Sequence, residues 1–233
     1  MRSKQKIIII MPAYNAQMSL EYVYKKISKD WYDELILVDD NSKDDTYTEA
    51  KRLGIESYRN KKNLGYGGNL KSCLIKAINR GAEIIIELHP DNEYDPNAIE
   101  PAIEKVNNGA ELVLGNRFSS FFKALDAGMP LWKYFPTRLL SLFDKIVLGV
   151  DISDYHQGFR VYTRKLFEKI NYLDNSDDYL FSFEIIAQAR FFGFVIREVP
   201  VICYYSGKKR GALFWHSIRY AIGTFKVLLL FVL

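Results

Sequence analysis

The sequence predicts an α/β fold with a mostly parallel sheet flanked by helices. Three observations carry this expectation: short continuous apolar runs rich in β-branched residues, longer stretches of helical periodicity between them, and Pro, Asp or Gly punctuation where each run stops. Residues 7–11 form the first run, a buried strand ended by Pro12. A helix over 19–29 leads to a strand over 35–38, which Asp39 and Asp40 stop. Ser42, with Asp45 three residues on, reads as a capping box that starts a helix running to about Leu53 and closed by Gly54. Residues 55–58 suit a short edge strand. The glycine-rich turn 63–68 feeds a helix through Arg80, ended by Gly81. Residues 84–88 form a further buried strand, followed by the loop 89–96, a helix ended by Asn108 and Gly109, and a strand over 112–114. The second half predicts amphipathic helices over 131–148 and 180–192. It then predicts an extended segment over 195–204, where Pro200 favours an edge.

The chain has 233 residues, enough for one domain and an appended region. Apolar residues make up 48% and charged residues 26%, which excludes disorder and a polytopic membrane protein. The net charge of +4 is unevenly placed: after Glu198 there is no acid, while Lys208, Lys209, Arg210, Arg219 and Lys226 remain. All 15 Phe lie at or after Phe118, so the two halves face different chemistry. Cys73 and Cys203 each sit in an apolar stretch and read as small buried thiols in a reducing compartment. The basic N-terminus runs into only five apolar residues, too few for an export signal.

In an open parallel sheet, ligands bind outside the carboxyl ends of the strands. Two acidic clusters fall there, Asp39-Asp40 and His89-Pro90-Asp91-Asn92-Glu93. Each acid taken singly is a turn former or helix cap. Two clusters at neighbouring strand ends repel unless a cation or donor network joins them, and a divalent metal holding a phosphorylated ligand answers that repulsion. Several other chemistries lack their motifs. There is no G-x-G-x-x-G after the first strand, no G-x-x-x-x-G-K-[ST], no G-x-S-x-G elbow, and no paired Cys and His for zinc.

Pro12-Ala13-Tyr14-Asn15, Leu37-Val38-Asp39-Asp40-Asn41-Ser42 with Asp45-Thr46, Asn63-Leu64-Gly65, His89-x-Asp91, Gly115-Asn116-Arg117 and Gly158-Phe159-Arg160 come in a specific order. Together they resemble the motif series of family 2 glycosyltransferases with the GT-A fold, and within them the dolichol-phosphate and polyprenyl-phosphate sugar synthases. The resemblance spans residues 7–205. It implies a UDP- or GDP-linked sugar donor and inverting transfer to a lipid-phosphate acceptor. Pro12, Tyr14 and Asn15 would border base and ribose, Asp39 would bind the base with Asp40 near it, and Asn63 and Gly65 would complete the nucleotide-sugar site. Asn15 departs from the acid common at its position. Asp91 would be the metal-binding acid, with Mn²⁺ or Mg²⁺ as cofactor. His89 replaces the first acid of the metal motif, so Glu93 is expected to join Asp91, with His89 as a further ligand.

Arg117 and Arg160 would face the acceptor phosphate, because a guanidinium binds phosphate oxygens bidentately. Lys208 and Arg210, in the run 208–210, would add to them. An acceptor phosphate is already largely ionised and needs no strong base. For a saccharide hydroxyl, Asp154 is the nearest base candidate. A catalytically silent nucleotide-sugar-binding subunit is the alternative from another class.

The reading divides the chain into a GT-A domain over 1–205, with a nucleotide-sugar half (1–116) and an acceptor half (117–205), and a basic amphipathic tail over 206–233. His216, Arg219, Gly223 and Lys226 form one polar stripe on an otherwise apolar helix, which suits a bilayer interface or packing on the protein or a second copy. The seven apolar residues after Lys226 fall well short of the ~20 that span a bilayer. Apolar residues outnumber charges in the tail, against nucleic-acid binding. The expected location is cytoplasmic, peripheral at the inner face of the membrane, with a homo-oligomer possible.

Overall fold

The structure is a computed structural model that describes residues 5–119, 123–205 and 214–232. Its strands are β1 (Ile7–Ala13), β2 (Glu34–Asp39), β3 (Glu56–Arg59), β4 (Ile84–Glu87), β5 (Leu112–Asn116), β6 (Arg160–Thr163) and β7 (Ile196–Pro200). Its helices are α1 (Gln17–Lys26), α2 (Thr46–Arg52), α3 (Gly65–Asn79), α4 (Ile99–Asn107), α5 (Lys123–Asp126), α6 (Leu131–Leu148), α7 (Arg164–Lys169), α8 (Phe181–Phe191) and α9 (Phe214–Val232).

The strands form one seven-stranded sheet in the order β3-β2-β1-β4-β6-β5-β7. β1 lies parallel to β2 and β4, β2 to β3, and β5 to β7, whereas β6 runs antiparallel between β4 and β5. Parallel neighbours need a crossover, and α1, α2 and α3 provide those joining β1 to β4 in sequence. The strand period of two divides the core. Ile8 and Ile10 pack on one side with Leu70, Leu74 and Ala77 of α3 and Phe183 and Ile186 of α8. Ile9 and Met11 pack on the other with Leu20 and Val23 of α1 and Ala102 of α4. Burial on both faces is why β1 reads as an unbroken apolar run. Cys73 and Cys203 are both free and buried, as expected.

The GT-A-like α/β expectation holds, with four local differences. β1 continues through Pro12 because its pairing with β4 ends at Ile10, beyond which a missing N–H costs that partner nothing. The first helix stops at Lys26, and a 3₁₀ turn over Lys29–Trp31 follows. The Ser42 capping box does not form: the Ser42 hydroxyl donates to Asp39 instead, and Asp44 accepts the Thr46 N–H at 3.1 Å, so α2 begins at Thr46. The antiparallel β6 was not expected as a strand, since its four residues begin with a charge.

The segment before α8 is seated against the first turn of α3. The N–H of Gly67 donates to the Asp177 carbonyl at 2.8 Å. A methyl group on Gly67 would collide with the Ser176 carbonyl and come within 2.8 Å of Phe181 Cβ. Gly67→Ala is therefore expected to lower the unfolding free energy by about 1–3 kcal/mol, the cost of overpacking. Urea denaturation measures it, and an unchanged midpoint would show that this seat is loose.

Candidate active site

A cleft of ≈ 410 Å³ opens at the carboxyl ends of β1, β2 and β4. Pro12, Ala13 and Tyr14 form one wall, Asp40, Asn63 and Gly65 the back, and His89, Pro90 and Asp91 the floor with Tyr66 and Asn69 of α3. Asp177, Asp178 and Tyr179 form the opposite wall.

Asp40 organises the back of the cleft. Its carboxylate accepts the N–H groups of Leu64 at 2.9 Å and Gly65 at 3.1 Å and the Asn60 amide at 2.9 Å, so a negative charge meets the orphan donors of the α3 N-terminus. The Asn63 amide donates to the Asp40 carbonyl at 3.1 Å. Asp39, its neighbour, is 0% exposed and does not line the cleft. Its carboxylate accepts from the Ser42 N–H and hydroxyl and meets Arg59 Nε at 3.2 Å. Asp39, expected to present its acid to a base, is here turned away from the cleft. Its oxygens hold the β2 turn, and Asp40 is the acid on the cleft. Asn15 also works on the turns: its N–H donates to Ser42 Oγ at 2.9 Å and its side-chain oxygen accepts the Lys43 N–H at 2.9 Å, tying the loop after β1 to the loop after β2.

Under the floor lies Glu87, fully buried at the end of β4. It accepts the hydroxyls of Tyr66 at 2.9 Å and Tyr162 at 2.6 Å and pairs with His89 Nε2 at 3.1 Å. Burial pushes its carboxyl up, but the His89 hydrogen bond and the Arg160 charge outweigh burial and hold it below its ordinary value. Burial works on His89 the other way, and Glu87, with the charges of Asp91 and Glu93, raises the imidazole above its ordinary value. The ring stacks on Tyr66, centroids 5.5 Å apart and 5° from parallel. Gly158 leaves it room: a methyl there would stand 3.1 Å from Nε2.

Asp91 lines the cleft and accepts the Glu93 N–H at 2.9 Å. Among the described residues, no group of three or more His, Cys, Asp or Glu is arranged to hold a metal ion. Of the expected ligands, Asp91 and His89 line the cleft, with His89 Nε2 paired to Glu87, while Glu93 lies outside the cleft lining.

The arginines expected at an acceptor phosphate lie inside the protein. Arg117 is buried and clamps Asp154 through Nε at 2.7 Å and Nη2 at 2.9 Å, while Nη2 also donates to the His156 carbonyl at 2.9 Å. Burial pushes the Asp154 carboxyl up, but the charge and hydrogen bonds of Arg117 outweigh it and hold the group below its ordinary value. Asp154, expected as a base, has both carboxylate oxygens engaged by Arg117. Arg160 sits opposite Glu87 in the sheet, buried, with Nε and Nη1 lacking hydrogen-bond partners. Its charge balances Glu87 from within the core. Lys208 and Arg210 lie outside the described residues.

α9 packs on the domain. Gly223 lies against Leu180, and the Tyr220 hydroxyl is 2.9 Å from His156 Nδ1. On the far side of that imidazole, Nε2 stands 2.8 Å from buried Asp144, within ion-pair range but out of line for a hydrogen bond. Among the described residues, no helix is long and apolar enough to cross a membrane.

The sequence profile of glycosyl transferase family 2 matches residues 8–171, well over half of the chain. The chain belongs to glycosyl transferase family 2. Among its relatives is the UDP-N-acetylglucosamine–dolichyl-phosphate N-acetylglucosaminyltransferase of Methanococcus voltae, 28% identical over 220 residues that cover 86% of this chain and 86% of that one. The polyprenol monophosphomannose synthase of Mycolicibacterium smegmatis is 25% identical over 209 residues, 86% of this chain and 78% of that one. The fold matches glucosyl-3-phosphoglycerate synthase from Mycobacterium tuberculosis, whose crystal structure contains Mn²⁺, UDP and phosphoglyceric acid. The TM-score is 0.72 over 97% of this chain and 78% of that one, at 16% identity. The glycosyltransferase thus has the GT-A fold that its motif series implied.

Of the residues expected in the nucleotide-sugar site, Pro12, Tyr14, Asp40, Asn63, Gly65 and Asp91 come together on the cleft, as does His89. Tyr66, Asn69, Glu87 and the wall 177–179 were missed. Asp178 accepts the Leu180 N–H at 2.9 Å in the turn that leads into α8. An acidic doublet directly before a helical pattern was the available signal.

The Arg117–Asp154 pair gives a pH prediction. A carboxyl whose pKa falls on folding adds stability above its unfolded value, about 3.9, and loses it as pH drops through the folded value. Arg117→Gln leaves Asp154 buried without its cation and should cost about 3–5 kcal/mol at pH 7. That gap to the wild type should narrow below about pH 4. Urea titrations at pH 7, 5 and 3.5 measure it, and a gap constant with pH would remove Asp154 as the cause.

Proposed function

We propose that this glycosyltransferase moves a sugar from a UDP- or GDP-linked donor to a polyprenyl phosphate, with inversion at the sugar carbon. The observation that carries the reading is the pair of relatives, each aligned over 86% of this chain, one named for a dolichyl-phosphate acceptor and the other for a polyprenol monophosphomannose product. The cleft suits the donor. Its volume lies within the range of small-molecule sites, and its polar groups, Asp40, Asn63 and Asn69, converge beside the apolar Pro12 and the ring of Tyr14.

A divalent ion, Mn²⁺ or Mg²⁺, fits Asp91, an oxygen donor on the cleft floor, only if the donor diphosphate supplies most of the remaining oxygens, because the described residues offer no closed cage. When bound, the ion neutralises charge on the leaving diphosphate. The chain's own residues position the reaction: Asp40 fixes the α3 N-terminus at the back of the cleft, and Glu87 holds the His89 ring on the floor.

In the transfer, an oxygen of the acceptor phosphate forms the new bond to the sugar C1 as the bond from C1 to the donor diphosphate oxygen breaks. The nucleoside diphosphate leaves with that electron pair. An acceptor phosphate with a second pKa of about 6 is already ionised and needs no proton removed. The burial and pairing of Asp154 support this acceptor over a hydroxyl, which would need a free base. Lys208 and Arg210 stay as the proposed cationic contacts to the acceptor phosphate. The reading places the enzyme as a peripheral protein at the inner face of the membrane, in reach of a water-soluble donor and a lipid acceptor.

Asp91→Asn is expected to weaken Mn²⁺-dependent binding of UDP or GDP at least about tenfold, the loss of one charge-assisted contact. Calorimetric titration with and without Mn²⁺ measures it, and equal affinity in the variant would exclude Asp91 as the metal acid. Transfer of radiolabelled sugar to a short-chain polyprenyl phosphate tests the reaction. Donor binding without any transfer would point to a silent binding subunit.

A further inference from the structure

The helices α6 and α9 present an apolar surface that the core does not use. On α6, Leu131, Trp132, Phe135, Leu139, Leu142 and Ile146 all reach solvent, with Leu139 70% and Ile146 71% exposed. At about 3.6 residues per turn these side chains fall within about a third of the helix circumference. Tyr134, Ser141, Asp144 and Leu148, on the opposite side, are buried. The surface continues onto α9, where the Phe225 ring lies 5.0 Å from that of Phe143. Ile218, Ile222 and Leu229 share the Phe225 side of α9 and are exposed too. A continuous patch of this kind is an interaction surface.

Its charges choose the partner. The described exposed charges of the two helices are Arg138, Lys145, Arg219 and Lys226, all basic, with Lys145 paired to Asp151. The single acid, Asp144, is buried beside His156. We infer that α6 and α9 together dock the protein on an anionic bilayer surface, with the apolar stripe in the headgroup boundary and the basic residues at the lipid phosphates. A second copy docked through the same face would set this all-basic group of Arg138, Arg219 and Lys226 against the same all-basic group, with no exposed acid on either helix to offset it. The surface also adjoins the cleft. Leu180, next to the cleft residue Tyr179, packs on Gly223 of α9, and Lys133 near the start of α6 lies 5.4 Å from the Tyr205 ring, whose hydroxyl accepts from Arg117. The inference rests on the lipid-phosphate reading and deepens it. On the tail, Ile218, Ile222, Phe225 and Leu229 are one part of this surface, and α6 supplies the larger share.

The test is co-sedimentation of the full chain with vesicles of phosphatidylcholine alone and of phosphatidylcholine with 30% phosphatidylglycerol, a composition of roughly physiological anionic content. The wild type should bind the anionic vesicles more tightly, and added salt should weaken it. Leu139→Glu with Ile146→Glu should lower vesicle affinity at least about tenfold, because two side chains lose their burial in the boundary. Phe191→Glu, an exposed apolar residue on α8, should leave binding unchanged. Circular dichroism and donor titration confirm that the variants are folded. Equal vesicle binding by the double variant overturns the inference, as does a wild type that ignores anionic vesicles. A wild-type dimer that the double variant dissociates, read by light scattering, also overturns it in favour of a second copy. Transfer to a short-chain, water-soluble polyprenyl phosphate is measured on the same proteins. Vesicle binding without transfer supports the surface and counts against the reaction instead.

Discussion

A carboxylate with no access to water fixes the floor of the cleft. Burying Glu87 without partners would cost several kcal/mol, and the neighbouring residues remove that cost in concert. Tyr66 reaches it from α3, Tyr162 from β6, and His89 from the chain just past β4, while Arg160 balances its charge from the adjacent strand. Because these contacts come from separate elements, the helix that begins the back of the cleft and the loop that carries Asp91 are referenced to one point. The geometry of the site follows from satisfying that one charge.

The two sides of the molecule solve their electrostatics differently. Around the cleft, side-chain acids meet backbone donors: Asp40 takes the N–H groups of Leu64 and Gly65, and Asp178 takes that of Leu180 just before α8. Backbone donors leave such acids partly available at the cleft. Toward β5 and β6 the acids meet buried guanidinium groups, as in Arg117 with Asp154 and Arg160 with Glu87. Arg117 is paired directly to Asp154, whereas Arg160 acts on Glu87 through its charge alone, with Nε and Nη1 free of hydrogen-bond partners.

Much of the fold was legible because parallel strands buried on both faces cannot avoid long apolar runs, and because Gly54, Gly81 and Gly109, all at positive φ, end helices where the sequence placed those ends. The cleft was legible in the residues that follow strands: Tyr14, Asp40, Asn63 and Asp91 came together as read. What the sequence hid was orientation. Asp39 and Asp40 are adjacent and chemically identical, yet one turns into the β2 turn and the other onto α3, a choice made by Ser42, Arg59 and the α3 N-terminus. β6 escaped notice because its charged first residue is buried by a partner that is distant in sequence. The exposed stripe of α6 had the spacing of an ordinary core-facing helix, and only the three-dimensional structure shows which way it faces.

The wall opposite Tyr14 is anchored through its main chain, where Gly67 and Gly68 both direct their N–H groups to the Asp177 carbonyl, and Lys71 adds an ion pair to the Asp177 carboxylate at 2.8 Å. A carbonyl is the same whatever side chain follows it. Substitution at Asp178 or Tyr179 can therefore alter the shape and polarity of that wall while its main-chain anchor stays in place. The scaffold separates what holds the wall from what the wall presents to the cleft, so one can change while the other stands.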